Sequence, residues 1–149
     1  MSKVYLDVCC LNRPFDDQSQ ERIRLEAEAV LLILNRCYQG REHWSGSNVL
    51  VYEIRRIPDP ERRRRVFSLL RFVHSTEVTE ANEWTRGGAL QGLGFKAVDS
   101  LHVACAEKAG CAVLLTTDDR LLRAAHRNAP QLGVRVVNPV EWMQEESTP

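Results

Sequence analysis

Residues 112–119 have the sequence AVLLTTDD, an apolar run followed by two threonines and two aspartates. A short continuous apolar run bounded by polar residues is typical of a strand buried on both faces, as in a parallel sheet. Asp118 or Asp119 is a preferred residue type for capping the helix that is predicted to continue to about residue 128. The segment therefore predicts a strand–helix unit with acidic residues at the carboxyl end of the strand.

Predicted strands and helices alternate over the rest of the chain as well. At the amino terminus, an apolar run over residues 4–6 ends at Asp7 and is followed by a predicted loop over residues 12–17. Further strands are predicted at residues 42–45, 74–78 and 134–137, and helices at residues 20–39, 47–57, 59–73, 95–109 and from Pro139 onward. A helix starting near Thr79 is predicted to be fragmented or ended by Gly87, Gly88, Gly92 and Gly94.

Strands that alternate with helices predict parallel pairing with right-handed crossovers. The expected fold is therefore a three-layer α/β/α domain with a parallel sheet of about five strands, and residues 1–149 are expected to form one domain. A chain of 149 residues with 44% hydrophobic residues can bury such a core without disulfides. The five cysteines are an odd number and include the adjacent Cys9 and Cys10, so they make a poor disulfide framework.

The amino terminus has no signal-peptide pattern, and no apolar stretch approaches the roughly 20 residues that span a bilayer. We therefore expect a soluble, cytoplasmic protein without membrane association. The 20 basic and 20 acidic residues balance, so the overall charge does not favour non-specific nucleic-acid binding. The segment 55–71 is locally basic, with seven arginines against two acids, which suits either a phosphate-contacting surface or a solvated helix face.

Four carboxylates occur where solvation does not readily explain them. Asp7 and Asp118 follow predicted strands, whereas Glu53 and Asp99 lie inside apolar helical segments. The carboxyl ends of parallel strands share one edge of a sheet, where ligands bind in this architecture. A buried charge needs a partner or a metal ion, and oxygen donors without histidine or thiolate suit Mg²⁺ or Mn²⁺. If the helices direct Glu53 and Asp99 to this edge, the four acids form a metal site.

Each acid also has a simpler interpretation. Asp7 and Asp118 are good capping residues. Asp99 could pair with Lys96, and Glu53 could pair with Arg55, Arg56 or an arginine of the next helix. The coincidence of all four acids favours a common site over four separate explanations.

At these residues the chain resembles the PIN-domain family, especially the VapC-type ribonuclease toxins of toxin–antitoxin pairs. The resemblance covers nearly the whole chain and rests on an Asp ending the first strand, a helical Glu, an Asp beginning a later helix and a Thr-x-Asp segment. These features correspond to Asp7, Glu53, Asp99 and the pair Thr116 and Asp118. Family members often have Ser, Thr or Asn where this chain has Cys9, and Phe where it has Leu121.

The resemblance implies an endoribonuclease that depends on Mg²⁺ or Mn²⁺, with Asp7, Asp99 and Asp118 as main ligands, directly or through water. Glu53 would be a ligand or a water-orienting base. It assigns auxiliary roles to Thr116 and Asp119, and Asn12 could supply the amide that Cys9 does not. It also implies an RNA substrate, an antitoxin that inserts an arginine among the acids, and a homodimer. Candidate RNA-binding residues are Arg13, Arg55, Arg56 and Arg62.

Two other functions remain open from the sequence. A non-catalytic module of the same fold could use the acids to dock a basic partner protein. A phosphatase with Asp7 as nucleophile is less favoured, because such enzymes typically have a second Asp where this chain has Cys9. The sequence assigns no role to His102 or His126.

Overall fold

The computed structural model describes residues 2–147, so the first residue and the last two residues of the predicted domain 1–149 lie outside the described range. Within this range the chain forms five strands: β1 (Ser2–Leu6), β2 (Glu42–Ser47), β3 (Ser75–Glu77), β4 (Val113–Leu115) and β5 (Arg135–Val137). It forms eight α-helices: α1 (Val8–Asn12), α2 (Glu21–Tyr38), α3 (Asn48–Arg55), α4 (Pro60–Ser68), α5 (Ala81–Gly92), α6 (Ala97–Lys108), α7 (Asp119–Arg127) and α8 (Pro139–Glu146).

All strand pairs are parallel, and their order across the sheet is β3-β2-β1-β4-β5. The chain builds outward from β1 to β3 on one side and then crosses to β4 and β5 on the other. β1 and β4 therefore meet at the point where the direction of strand addition reverses. Their register pairs Leu6 with Leu115, so both strands end at the same level. This is the position where open parallel sheets bind ligands.

The sheet separates two apolar cores, which confirms the predicted α/β fold with helices on both faces. Successive side chains of a strand point to opposite faces. Accordingly, Val4 and Leu6 pack with Ile33 of α2 and with Trp44 of β2 in one core. Tyr5 lies in the other core, together with side chains of α3, α5, α6, α7 and β4.

The segment 12–17 is more ordered than its polar composition predicts. Residues Val8–Asn12 form the short helix α1, and Arg13–Phe15 continue as a 3₁₀ turn. The helix starts because the Asp7 side chain accepts a hydrogen bond from the backbone N–H of Cys10 and so caps it. The prediction of a loop is therefore wrong for residues 12–15 and correct for residues 16 and 17, which lie outside helices and strands.

The glycines near residue 90 also behave differently from the prediction. α5 continues through Gly87 and Gly88 to Gly92, and the chain turns only at Gly94, where φ is +104°. A side-chain carbon at Gly87 would lie 3.1 Å from the Leu101 side chain of α6, so this glycine permits close helix packing. Tertiary packing therefore overrides the low helix propensity of glycine at this position.

Most other predicted elements are confirmed with small shifts at their ends. α3 stops at Arg55 before Pro58, and α4 starts at Pro60 with Asp59 as its cap. The predicted helix over residues 59–73 is shorter, because α4 ends at Ser68 and Leu69–Phe72 form a 3₁₀ turn. Within residues 2–147, no helix is both long and apolar enough to cross a membrane.

Candidate functional site

The site is centred on Asp7, immediately after the central strand. Its side chain is almost fully buried, and one carboxylate oxygen accepts a hydrogen bond of 2.5 Å from the Thr116 hydroxyl at the end of β4. The other oxygen accepts from the Cys9 thiol at 2.7 Å and from the Cys10 backbone N–H at 3.2 Å. Adjacent strand ends thus hold the carboxylate through neutral donors. Asp7 has no cationic ion-pair partner among residues 2–147.

Burial raises the pKa of Asp7 well above its ordinary value, because the charged form loses its hydration. The neighbouring Cys9 adds to this rise in pKa, whereas the Thr116 hydrogen bond and the proximity of His102 oppose it. An ionised Asp7 is therefore an uncompensated buried charge, which a cation would stabilise.

Thr116 connects Asp7 to the second strand-end acid. While its hydroxyl donates to Asp7, the same oxygen accepts from the Asp118 backbone N–H at 3.1 Å. Asp118 then caps α7 by accepting from the Arg120 N–H at 2.9 Å. The capping interpretation of Asp118 is thus correct, and it also fixes the acid beside Asp7. Thr116 is fully buried and acts as an orienting residue between the two acids.

Glu53 reaches the same edge from the last turn of α3. It pairs with neither Arg55 nor Arg56. Instead, one of its oxygens lies 2.5 Å from Nε2 of His102 on α6. The Glu53 side chain keeps 27% of its surface exposed, whereas that of His102 is 1% exposed. The acid therefore presents its second oxygen to solvent while a buried imidazole holds the first.

His102 belongs to a buried hydrogen-bonded chain that returns to the start of α3. Its Nδ1 lies 2.5 Å from the Tyr5 hydroxyl, which lies 2.6 Å from the Ser47 hydroxyl, and Ser47 caps α3 by accepting from the Leu50 N–H. Burial raises the pKa of Tyr5 and so keeps its proton. All groups are satisfied when Ser47 donates to Tyr5, Tyr5 donates to Nδ1 and Nε2–H donates to Glu53.

Asp99 lies in the first turn of α6, one turn before His102. Burial raises its pKa; nearby His102 opposes this rise, and the negative charges of Asp118 and Glu53 add to it. The predicted ion pair with Lys96 does not form, although the lysine charge also lowers the pKa slightly. Asp99 therefore interacts electrostatically with acids from α3 and from the end of β4. Asp7 and Asp118 thus follow the adjacent strands β1 and β4, and Asp118 and Glu53 are close enough to Asp99 to raise its pKa.

The donor chemistry fits a hard divalent cation, since all four acids offer oxygen and Asp7 is buried without a cationic partner. The acids are not gathered into a preassembled ligand cluster: across the described range 2–147, no three His, Cys, Asp or Glu side chains form a ready metal site. Like charges repel, so a set of acids is expected to remain apart without a cation between them.

The structure gives the auxiliary residues distinct environments. Cys9 donates to Asp7 and lies 3.3 Å from the Thr116 hydroxyl, so its thiol occupies the polar position expected of Ser, Thr or Asn. Asn12 instead contacts the Val8 carbonyl and the Arg62 side chain. Asp119 forms a two-pronged ion pair with Arg22 at 2.8 and 2.9 Å, which directs its carboxylate toward α2.

Two of the predicted RNA-binding arginines are bound within the protein. Arg13 bridges Asp16 and the buried Glu26, and Arg62 binds Asp16 and the Phe15 carbonyl. Arg56 lies over the ring of Tyr52, with 5.3 Å between the guanidinium carbon and the ring centre. Arg55 is exposed. The basic segment 55–71 therefore offers fewer free charges than its composition indicates.

Sequence reasoning did not find the Tyr5–His102 connection. Its only local signal is that His102 follows Asp99 by three residues inside an apolar helix, so both face the same side. The partner residues Tyr5, Ser47 and Glu53 come from distant parts of the chain, and only the fold brings them together.

Comparisons with known proteins support the family and the fold. The PIN domain family model matches residues 4–127. A FitAB structure bound to an IR36 DNA fragment has a TM-score of 0.59 and 17% identity, covering 92% of this chain and 95% of that chain. VapBC2 from Rickettsia felis, bound to a DNA fragment from its promoter, has a TM-score of 0.54 and 12% identity, covering 91% and 98%.

PAE2754 from Pyrobaculum aerophilum has a TM-score of 0.55 and 16% identity, covering 97% of this chain and 88% of that chain. Among curated protein sequences, none matches this chain significantly. At these identities the solved structures are evidence for the fold alone, while the family model spans most of the sequence and includes all four acids. The chain belongs to the PIN-domain family.

Proposed function

We propose that this protein is a divalent-metal-dependent endoribonuclease and the toxin of a type II toxin–antitoxin pair. The observation that supports the proposal is that Thr116 links Asp7 to Asp118 at the ends of β1 and β4, while Asp118 and Glu53 are close enough to Asp99 to raise its pKa. Burial raises the pKa values of Asp7 and Asp99, so a bound cation would stabilise their charged forms. A nuclease needs such acids to hold a cation beside a phosphate.

Asp7, Asp99 and Asp118 would hold Mg²⁺ or Mn²⁺, directly or through water, with Glu53 as a further ligand or as the group that orients the attacking water. The bound ion would lower the pKa of a water molecule and stabilise charge on the phosphate. Neighbouring side chains fix the orientation of these acids. Thr116 orients Asp7, and His102 fixes one oxygen of Glu53, leaving the exposed oxygen free to accept a proton from water.

A partner protein is supported by an exposed apolar surface on α2. Leu25, Leu31, Leu32 and Tyr38 are each about half exposed or more. Leu25 and Leu32, and likewise Leu31 and Tyr38, are seven residues apart and so lie along the same side of the helix. Clustered exposed apolar residues are typical of protein interfaces. The antitoxin and a second copy of this chain are the partners that the family resemblance implies.

The activity is tested by incubating the purified protein with single-stranded and structured RNA in Mg²⁺, Mn²⁺ or EDTA. We expect cleavage only with a divalent ion, and a loss of at least about 100-fold in Asp7→Asn and Asp99→Asn, because each removes a charged group that acts at the reacting phosphate. The exposed Asp17→Asn is the control and should cleave normally. Equal cleavage by all four proteins would refute the proposal.

The second candidate is a non-catalytic module that docks a basic partner on the same acids. Titration calorimetry distinguishes the two, because the nuclease requires divalent-ion binding at millimolar concentrations and the module does not. Absence of metal binding together with absence of cleavage would favour the module.

A further inference from the structure

A second polar feature adjoins the acidic site. A cavity of about 170 Å³ lies between the start of α6 and the outer face of α7. Asp99 forms part of its wall, and four cationic side chains line it: Lys96, Arg120, Arg123 and Arg127. The cavity therefore adjoins the candidate active site at Asp99. The site itself is acidic, whereas the cavity wall is mainly cationic.

The four cations share one location because of the helical repeat. Arg120, Arg123 and Arg127 follow one another at three and four residues on α7, so they form a single stripe. Leu121, Ala124 and Ala125 are buried on the adjoining side of the helix and anchor it to the core, and the first two also line the cavity. Lys96 directly precedes α6 and completes the stripe. The consecutive arginines 62–65, by contrast, fan around α4 and cannot face one ligand.

These cations are free, unlike most other arginines of the protein. None of the four forms an ion pair within residues 2–147; Lys96 and Arg123 interact only at longer range, with Asp99 and Asp119. Eight other arginines each pair with a carboxylate: Arg13, Arg22, Arg36, Arg62, Arg64, Arg65, Arg86 and Arg135. Four unpaired cations around one small polar cavity are a site for an anion, since each repels the others until an anion is bound.

We propose that this cavity binds a backbone phosphate of the RNA, adjacent to the phosphate that is cleaved. The inference rests on the proposed nuclease function and deepens it by placing the substrate strand across α7. The guanidinium fork matches the oxygens of a phosphate, and Asp99 in the cavity wall sets the bound phosphate beside the acids. Two phosphates of one RNA strand would then be bound differently. The arginines would bind the neighbouring phosphate, and the cation held by the carboxylates would bind the reacting one.

The test compares an Arg123→Gln/Arg127→Gln double variant with a matched control, Arg41→Gln/Arg135→Gln. The control removes the same charge from exposed positions at the amino-terminal ends of β2 and β5, the opposite edge of the sheet. It also breaks the Arg135–Glu145 ion pair, whose partners are both solvent-exposed, so the stability cost is small. Binding of a fluorescein-labelled single-stranded RNA is measured by anisotropy in Mg²⁺ between 50 and 200 mM salt. Asp7→Asn is present in every protein, so that the RNA stays intact. Cleavage is measured in parallel with Asp7 restored.

We expect the double variant to bind RNA more weakly and its salt dependence to flatten by about 0.7 in log–log slope for each lost phosphate contact. In the cleavage assay KM should rise while kcat is nearly unchanged, because the contact holds substrate and transition state equally. The control should retain the original slope. If the wild type cleaves RNA and the double variant keeps the wild-type slope and KM, the inference alone is overturned. The inference would also be overturned if the double variant bound an acidic peptide more weakly but bound RNA as the control does, because the cations would then serve a protein partner.

A wild-type protein that does not cleave any RNA with either metal would instead refute the proposed function. The two failures are therefore distinguishable. Both substituted arginines are exposed on α7, so the variants are expected to fold, and circular dichroism checks this.

Discussion

At the scale of single residues, the hydrogen-bonded chain from Ser47 through Tyr5 and His102 to Glu53 explains why an acid near the end of a short helix has a fixed position. A glutamate side chain has three rotatable bonds and ordinarily moves freely on a surface. Here a buried imidazole holds one oxygen, and a phenol that remains protonated holds the imidazole. The position of Glu53 therefore depends on a residue in the central strand.

Tyr5→Phe tests this chain of contacts. The substitution removes only the hydroxyl, which leaves Nδ1 of His102 buried without its donor, so we expect a loss of about 1–3 kcal/mol in the free energy of unfolding. Urea denaturation measures this loss. Tyr38→Phe is the matched control because Tyr38 is 71% exposed, and it should change stability by less than about 0.5 kcal/mol. If the two variants are equally stable, the hydroxyl contributes no buried contact.

All four acids could be named from the sequence, because each occurs at a strand end or inside an apolar helix, where a charge needs an explanation. The hydrogen-bond and ion-pair partners of these residues could not be named from the sequence. The alternative in which Glu53 pairs with a nearby arginine is wrong, because Glu53 pairs with His102, which is 49 residues away in sequence. Likewise, Arg13 and Arg62 were expected to face the substrate, yet each binds acids within the protein. Pairing between distant residues depends on tertiary geometry, which local patterns do not encode.

At the scale of secondary structure elements, helix and strand identities were predictable because apolar periodicity is strong in α2, β1 and β4. Helix ends were less predictable, since they depend on single contacts such as the Asp7 cap of α1. The continuity of α5 was missed for the same reason. Gly87 is a weak helix former by itself, but it lies against Leu101 and Ser100, where a larger side chain would be crowded.

Two adjacent glycines of α5 allow a direct test. A side-chain carbon at Gly88 would meet no atom within 4 Å, whereas one at Gly87 would lie 3.1 Å from Leu101. We expect Gly88→Ala to stabilise the protein by about 0.5–1 kcal/mol through helix propensity. Gly87→Ala should be less stable than Gly88→Ala by at least about 1 kcal/mol because of overpacking. Thermal or urea unfolding measures both, and equal stability of the two variants would contradict close packing of α5 on α6.

At the scale of the whole molecule, the net charge of zero combines a set of uncompensated acids with a stripe of unpaired cations beside it. The raised pKa values of Asp7 and Asp99 mean that the folded protein binds protons more tightly than the unfolded chain at these residues. Their contribution to stability is therefore greatest below the ordinary aspartate pKa of about 4 and is lost as the pH rises through the raised values.

We accordingly expect Asp7→Asn to increase the stability of the metal-free protein at neutral pH but not near pH 4. Each kcal/mol gained corresponds to an increase of about 3 °C in Tm for a domain of this size. Chemical denaturation in EDTA between about pH 4 and 8 measures the difference between variant and wild type. Asp119, Glu61 and Glu145, whose pKa values are lowered, affect both proteins equally.

The exposed Asp17→Asn is the control for this measurement and should show no pH-dependent difference. Millimolar Mg²⁺ should stabilise the wild type and not Asp7→Asn, since a ligand that binds only the folded state stabilises it. A difference between Asp7→Asn and wild type that is the same at pH 4 and pH 8 would show that burial of the Asp7 charge does not limit stability.

The strand order also determines the point in synthesis at which the candidate site can be assembled. β1 emerges first from the ribosome, but one of its two neighbours, β4, is translated only after residue 112. A nascent chain released before that point can pair β1 with β2 yet leaves one side of the central strand open, with Asp7 lacking the hydroxyl of Thr116. Prematurely terminated products would therefore contain the first acid of the site without the framework that orients it, and translation must pass Asp118 before the four acids can meet.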